Sequence, residues 1–133
     1  GGKILSASGP QITAQCLRVP VSDGHMAAVF VSFEIKPERQ EILDAWATYC
    51  GEPQKLALPS APREFIRYFT EDNRPQTKTD RMEGHGMSVC AGRLREDGVF
   101  DYKFVGLSHN TLRGAAGGAV LLAELLAAKG YFD

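Results

Sequence analysis

Met87-Ser-Val-Cys-Ala-Gly-Arg-Leu-Arg-Glu-Asp-Gly-Val-Phe-Asp-Tyr-Lys-Phe-Val-Gly-Leu107 has the pattern of a β-hairpin. The runs 87–95 and 99–107 are rich in Val, Phe, Tyr and Leu, residues that suit a pleated, half-buried surface. Between them, Glu96-Asp97-Gly98 offers the glycine that a tight hairpin turn needs. This antiparallel pair is the fixed point from which the rest of the chain is read.

Upstream of the hairpin, Glu71–Gly86 is polar and charged, and Glu64–Thr70 alternates well enough to be a strand. Gly51–Pro62, with its prolines and small residues, reads as an irregular connection. Before it, Ile42, Leu43, Trp46 and Tyr49 recur at helical spacing. With Pro37 at a favourable first position and Gly51 where a C-terminal cap belongs, the pattern predicts an amphipathic helix over Glu38–Cys50. Further back, Ile12–Val19 and Met26–Ile35 read as strands on either side of the turn Pro20–Gly24. Downstream of the hairpin, Ser108 or Asn110 can cap a last helix that runs to about Lys129 and ends at Gly130. Its Val120–Ala128 portion is apolar on nearly every face and so must be covered on several sides. The order β, β, α, β, β, β, α predicts an α+β fold, a mixed or largely antiparallel sheet with covering helices.

A chain of 133 residues can bury roughly two-thirds of its unfolded surface, so one domain with a real core is expected. The net charge of −1 provides no field to attract nucleic acid or an anionic membrane surface, and both are excluded as partners. No stretch approaches the ~18 to 20 apolar residues that span a bilayer. Cys16, Cys50 and Cys90 are an odd number at wide spacing, which suits free thiols in a reducing, cytoplasmic setting. These cysteines and the three histidines form no Cys-x-x-Cys or His-x-x-x-His pair, so no metal site is expected. After Gly1-Gly2, Lys3-Ile4-Leu5 begins abruptly, like the tail of an interrupted helix, and suggests truncation.

The chemistry concentrates in Arg18-Val-Pro-Val-Ser-Asp-Gly-His25. A strand would deliver the arginine, Pro20 would stop it, and the turn through Gly24 would deliver the histidine at the start of the next strand. Both side chains can then face one pocket at a sheet end. A guanidinium there offers a planar fork of donors to a carboxylate, and an imidazole can exchange a proton near neutral pH. On spacing alone, the commoner reading is that Arg18 is an ion-paired surface residue and His25 a satisfied turn residue.

Three collinear segments shift that balance. Arg18-Val19-Pro20-Val21 with Gly24-His25 resembles the segment of aspartate-semialdehyde dehydrogenases that holds the substrate-carboxylate arginine and the active-site histidine. Arg74-Pro75-Gln76, Asp80-Arg81, Gly86-Met87 and Gly92-Arg93-Leu94-Arg95-Glu96-Asp97 resemble that family's late core. Leu107-Ser108-His109-Asn110-Thr111-Leu112-Arg113-Gly114-Ala115-Ala116-Gly117 is similar to the start of its last helix. The likeness is strongest to the fungal and archaeal branch.

The resemblance implies that residues 1–109 are part of the catalytic and dimerisation domain, while 110–133 form the helix that returns to the NADP-binding domain. It implies that Arg18 grips the carboxylate of aspartate semialdehyde, that His25 is the general acid/base, and that Asn110 approaches the nicotinamide of NADP. It further implies phosphate as co-substrate, aspartyl phosphate as product and a homodimer as the working form. The family's nucleophilic cysteine lies in an Asn-Cys segment upstream of the arginine, and its NADP-binding glycine loop lies near its N-terminus. Neither occurs in this sequence. The chain alone is therefore expected to be inactive and to bind no cofactor, acting at most as a structural and association module. Cys50, at the predicted end of a helix, and Cys90, in a strand without a neighbouring base, are poor substitutes for the missing nucleophile. Cys16 stands two residues before Arg18 and can share its face.

Overall fold

The computed structural model describes residues 9–132, so the Lys3-Ile4-Leu5 helix tail lies outside the described residues. In chain order the elements are β1 (His25–Val31), α1 (Arg39–Thr48), α2 (Glu52–Lys55), β2 (Ile66–Phe69), α3 (Thr77–Asp80), β3 (Val89–Glu96), β4 (Tyr102–Ser108) and α4 (Gly117–Ala128). The four strands make one sheet in the order β1-β4-β3-β2. β4 pairs antiparallel with β1 and with β3, and β2 runs parallel to β3. The fold is α+β with a mixed sheet.

The hairpin stands where its sequence places it, but its turn is longer and is held differently. Asp97–Asp101 forms the connection, closed by the Asp97 N–H donating to the Asp101 carbonyl at 3.3 Å. The Asp97 carboxylate accepts from the amides of Val99 (3.0 Å) and Phe100 (3.1 Å) and pairs with Lys103 at 2.7 Å. An aspartate that bonds the backbone two and three residues ahead shapes a turn without left-handed glycine. Gly98 is accordingly not among the positive-φ residues. In β3, Arg93 adopts φ 59° at a register shift between Gly92 and Arg95. One extra residue reverses which face the following side chains occupy. Leu94 thereby joins Ile42 and Tyr102 in a core cluster, with Val31, Trp46, Tyr68 and Phe104 around it.

α1 covers that cluster. Glu38 is its N-cap, and the Glu41 carboxylate accepts the Glu38 N–H at 2.7 Å, half of a capping box. Pro37 therefore precedes the cap rather than opening the helix, and its carbonyl accepts the buried Tyr102 hydroxyl at 2.7 Å. Gly51 opens α2 instead of closing α1, so the connection expected to be irregular carries a helical turn. A second cluster, Leu58, Met87 and Leu121, fastens α4 to the body, and a third, Phe69, Cys90 and Leu107, lies across β2, β3 and β4. α4 is covered on one side only, since Val120 is 53% and Leu122 55% exposed.

The expected strand Ile12–Val19 is not formed: residues 9–22 contain no helix or strand, and Ile12 and Leu17 are largely exposed. Among the described residues the outer side of β1 carries no partner, and strand-prone residues gain nothing without a ladder and a buried face. Among the described residues no helix is long and apolar enough to cross a membrane.

Candidate functional site

The site is built where β1 begins and β4 ends. The register pairs His25 with Ser108, so Asp23-Gly24 and Asn110-Thr111 continue past the paired ends side by side. Gly24 is buried at φ 102°, a conformation that favours glycine. A Cβ there would stand 3.0 Å from Leu107 Cδ1 and 3.3 Å from Thr77 Cγ2. Its N–H donates to Asn110 Oδ1 at 2.8 Å. Left unpaired, a buried amide would cost about 1–3 kcal/mol. Beside this bond, the Thr111 hydroxyl donates to Asp23 Oδ1 at 3.2 Å.

His25 follows directly. Strand alternation puts it on the face it shares with Ala27, Val29 and Val31. Val31 packs into the cluster under α1, whereas His25 and Ala27 are exposed, so the histidine end of that face is open. Among the described residues no side chain hydrogen-bonds the imidazole. The structure thus brings His25 and Asn110 to one corner. Arg18 is exposed in the irregular segment before it, where the Val21 N–H donating to the Val19 carbonyl at 2.9 Å turns the chain at Pro20, and no hydrogen bond joins Arg18 to the corner.

Asn110 does not cap the last helix, and neither does Ser108. That role belongs to His109, buried at 6% exposure, whose Nδ1 accepts from the amides of Thr111 and Leu112, both at 3.2 Å. An imidazole nitrogen satisfies orphan N–H groups as a serine hydroxyl would. Sequence reasoning missed this because histidine is not a usual cap. Leu112–Ala116 then forms a wide π turn that leads into α4. The glycines here serve close packing: a Cβ on Gly117 would meet Met87 Sδ at 2.6 Å and one on Gly118 the Arg113 carbonyl at 2.6 Å.

Under the Gly24 turn lies a second feature absent from the sequence reading. Asp80, with no exposed surface, accepts from Arg74 Nε at 3.0 and 3.2 Å, from Arg74 Nη2, and from the Gln76 amide at 2.6 Å. Burial alone would push the Asp80 carboxyl up. The bonds from Arg74, Gln76 and Thr79 outweigh it and hold the carboxyl below its ordinary value. This lock closes the loop that starts α3 and brings Thr77 against Gly24. Arg74-Pro75-Gln76 and Asp80 were visible as motif residues, but nothing in their spacing discloses that they bond one another.

Cys90 is 1% exposed, and its thiol, pushed up to about 12 mainly by burial and next by Glu83, donates to the Asp80 carbonyl at 3.3 Å. It is no nucleophile. Cys16 and Cys50 are exposed. Among the described residues no group of three or more His, Cys, Asp or Glu side chains could hold a metal. Two shallow cavities of about 310 and 280 Å³ lie elsewhere, and Arg18, His25 and Asn110 line neither.

A family model described as the semialdehyde dehydrogenase dimerisation domain matches residues 1–113. The chain is 46% identical over 128 residues to the aspartate-semialdehyde dehydrogenase of Aspergillus fumigatus, a match covering 92% of this chain and 35% of that one. It is 44% identical over 118 residues to a malonyl CoA reductase (NADP) of Metallosphaera sedula, covering 87% and 33%. Among solved structures, that of aspartate-semialdehyde dehydrogenase with NADP from Candida albicans superposes with a TM-score of 0.75 at 39% identity, over 85% of this chain and 32% of that one. The chain spans about a third of the length of the curated relatives it matches. In sequence and in fold, it belongs to the semialdehyde dehydrogenase dimerisation-domain family.

Proposed function

We propose that this chain is the part of an NADP-dependent aspartate-semialdehyde dehydrogenase that grips the substrate carboxylate, moves its proton and joins two subunits. The observation that carries the reading is the corner itself: His25, on an open sheet end, stands beside a turn fixed by Gly24 and Asn110. Arg18, seven residues before His25, is exposed and free to fork onto a carboxylate. A thiolate supplied from outside the sequence given would add to the aldehyde. The His25 imidazole would then take the proton of the adduct hydroxyl as the acyl carbonyl forms. NADP, when bound, would supply the hydride acceptor. The Asn110 carboxamide fits a single contact to it. Because the Gly24 N–H can only donate, the carboxamide oxygen faces the turn and the NH2 end points away from it. The binding of the phosphates falls to other residues.

On this reading, residues 1–109 belong to the catalytic and dimerisation domain and 110–133 return towards the cofactor domain. The isolated chain is inactive and binds no cofactor. Met26, Phe30 and Phe100 leave one apolar sheet face partly exposed, a face suited to a second copy.

A second reading follows from the malonyl CoA reductase relative, which is nearly as similar as the dehydrogenases. Substrates of both kinds carry a carboxylate close to the reacting carbon, and a guanidinium would grip either. Assaying the natural polypeptide that carries these residues separates the two. Turnover of aspartate semialdehyde with NADP and phosphate supports the first reading. Turnover of malonyl-CoA with NADPH in its place supports the second.

A further inference from the structure

A general base works when its imidazole is held in one orientation, and a third group commonly does this by hydrogen-bonding the ring. Among the described residues His25 has no such partner. What is fixed instead is the backbone that carries it. Gly24, the preceding residue, is buried, and its Cα is wedged against Leu107 and Thr77 so that no side chain fits. Its N–H is tied to Asn110 Oδ1 at 2.8 Å, across 86 positions of sequence. Asp23 is tied to the Thr111 hydroxyl at 3.2 Å, and His25 itself is registered against Ser108. The anchor on the far side is rigid in turn, because His109 is buried and bonded to the amides of Thr111 and Leu112.

We propose that Asn110 is a positioning residue for His25: by accepting the Gly24 amide it fixes the turn, and with it the direction in which the imidazole leaves the sheet. This rests on the reading of His25 as the proton-transfer group and assigns Asn110 a task separate from any contact with a cofactor. The same carboxamide would serve both, its oxygen to the base-bearing turn and its NH2 away from it. Thr111, whose hydroxyl donates to Asp23 Oδ1, supports the same turn from the neighbouring position.

The test compares Asn110→Ala, Thr111→Val and His25→Asn in the natural polypeptide that carries these residues, with amide hydrogen exchange at Gly24 and His25 read alongside steady-state kinetics. Misplacing a base by about an ångström costs on the order of 100-fold in rate. Asn110→Ala should therefore lower kcat at least about tenfold, leave KM for the semialdehyde unchanged, and speed exchange at Gly24 and His25 about tenfold or more. Asn110→Asp keeps an acceptor oxygen and should restore the Gly24 protection. Thr111→Val, at an exposed position that does not threaten folding, should lower kcat several-fold with KM for NADP unchanged. If His25→Asn abolishes turnover while Asn110→Ala and Thr111→Val leave kcat and exchange as they were, the positioning role is overturned and the role of His25 stands. If His25→Asn turns over normally, the assignment of His25 fails and the positioning role fails with it.

Discussion

Asp80 is wholly enclosed, and the Arg74 guanidinium that neutralises it lies over the face of Phe69, its carbon 3.9 Å from the ring centroid. Asp80 receives its bonds from the segment that packs under the Gly24 turn, so the lock belongs both to stability and to the geometry of the site.

Replacing Asp80 by Asn keeps the shape and removes the charge, and should cost about 2 kcal/mol at neutral pH. The sign with pH follows from the depressed carboxyl. Its folded value lies below an unfolded value of about 3.9, so its contribution is complete above about pH 4 and is lost as pH falls through the folded value. Asp97, held down first by Lys103 and then by the amides of Phe100 and Val99, adds in the same sense. Urea unfolding of the wild type and Asp80→Asn should show a gap at pH 7 that narrows as the pH falls below about 4. A gap independent of pH would contradict this.

Gly24→Ala would put a methyl group 3.0 Å from Leu107 Cδ1 in a backbone conformation that L residues rarely adopt. Strain of this kind costs about 1–3 kcal/mol. Thermal unfolding should fall by several degrees, and the Asn110 bond should weaken with it. An unchanged midpoint would show that the turn is less constrained than its geometry implies.

Thiol chemistry gives an independent check of the core. Cys16 and Cys50 should alkylate quickly at pH 8, while Cys90, enclosed and with its thiol pushed up to about 12, should react only after unfolding. Two fast labels and one slow label are expected by mass spectrometry. Three fast labels would mean that the Phe69, Cys90 and Leu107 cluster opens readily.

Much of the fold is legible in the sequence because it rests on strand pairing and helical spacing. The hairpin and the α1 helix stand within a few residues of their expected places, and the last helix ends within a residue of its own, though a π turn stands where its regular start was expected. What was not legible depends on partners distant in the chain. Ile12–Val19 has strand-forming residues, but among the described residues it pairs with no strand, and the outer edge of β1 stays open. The reversal of face in β3 turns on one left-handed arginine, Arg93, at a residue type that does not announce a bulge. At the site, the sequence shows the types His25 and Asn110 and their order. It does not show that Asn110 reaches back to Gly24, nor that His109 takes over the cap, because both are matters of where two ends of a sheet meet.

Association should be measurable with this chain alone. Met26 and Phe30 are each about half exposed on one face of β1, with the Phe100 ring tilted against Phe30 at a centroid distance of 5.9 Å. Sedimentation at rising concentration should reveal a dimer, and Phe30→Glu, which would place a charge in a dry interface, should shift it to monomer. A wild-type monomer at high concentration would remove the sheet face as the contact.

On the proposed reading Arg18 and His25 serve one substrate, the first by holding its carboxylate and the second by taking its proton. Steady-state kinetics of Arg18→Ala and His25→Asn in the natural polypeptide address it most directly. The account predicts that Arg18→Ala raises KM for the semialdehyde steeply, and that His25→Asn lowers kcat by about 10²–10⁴-fold with KM little changed. Wild-type kcat and KM in both variants would contradict it.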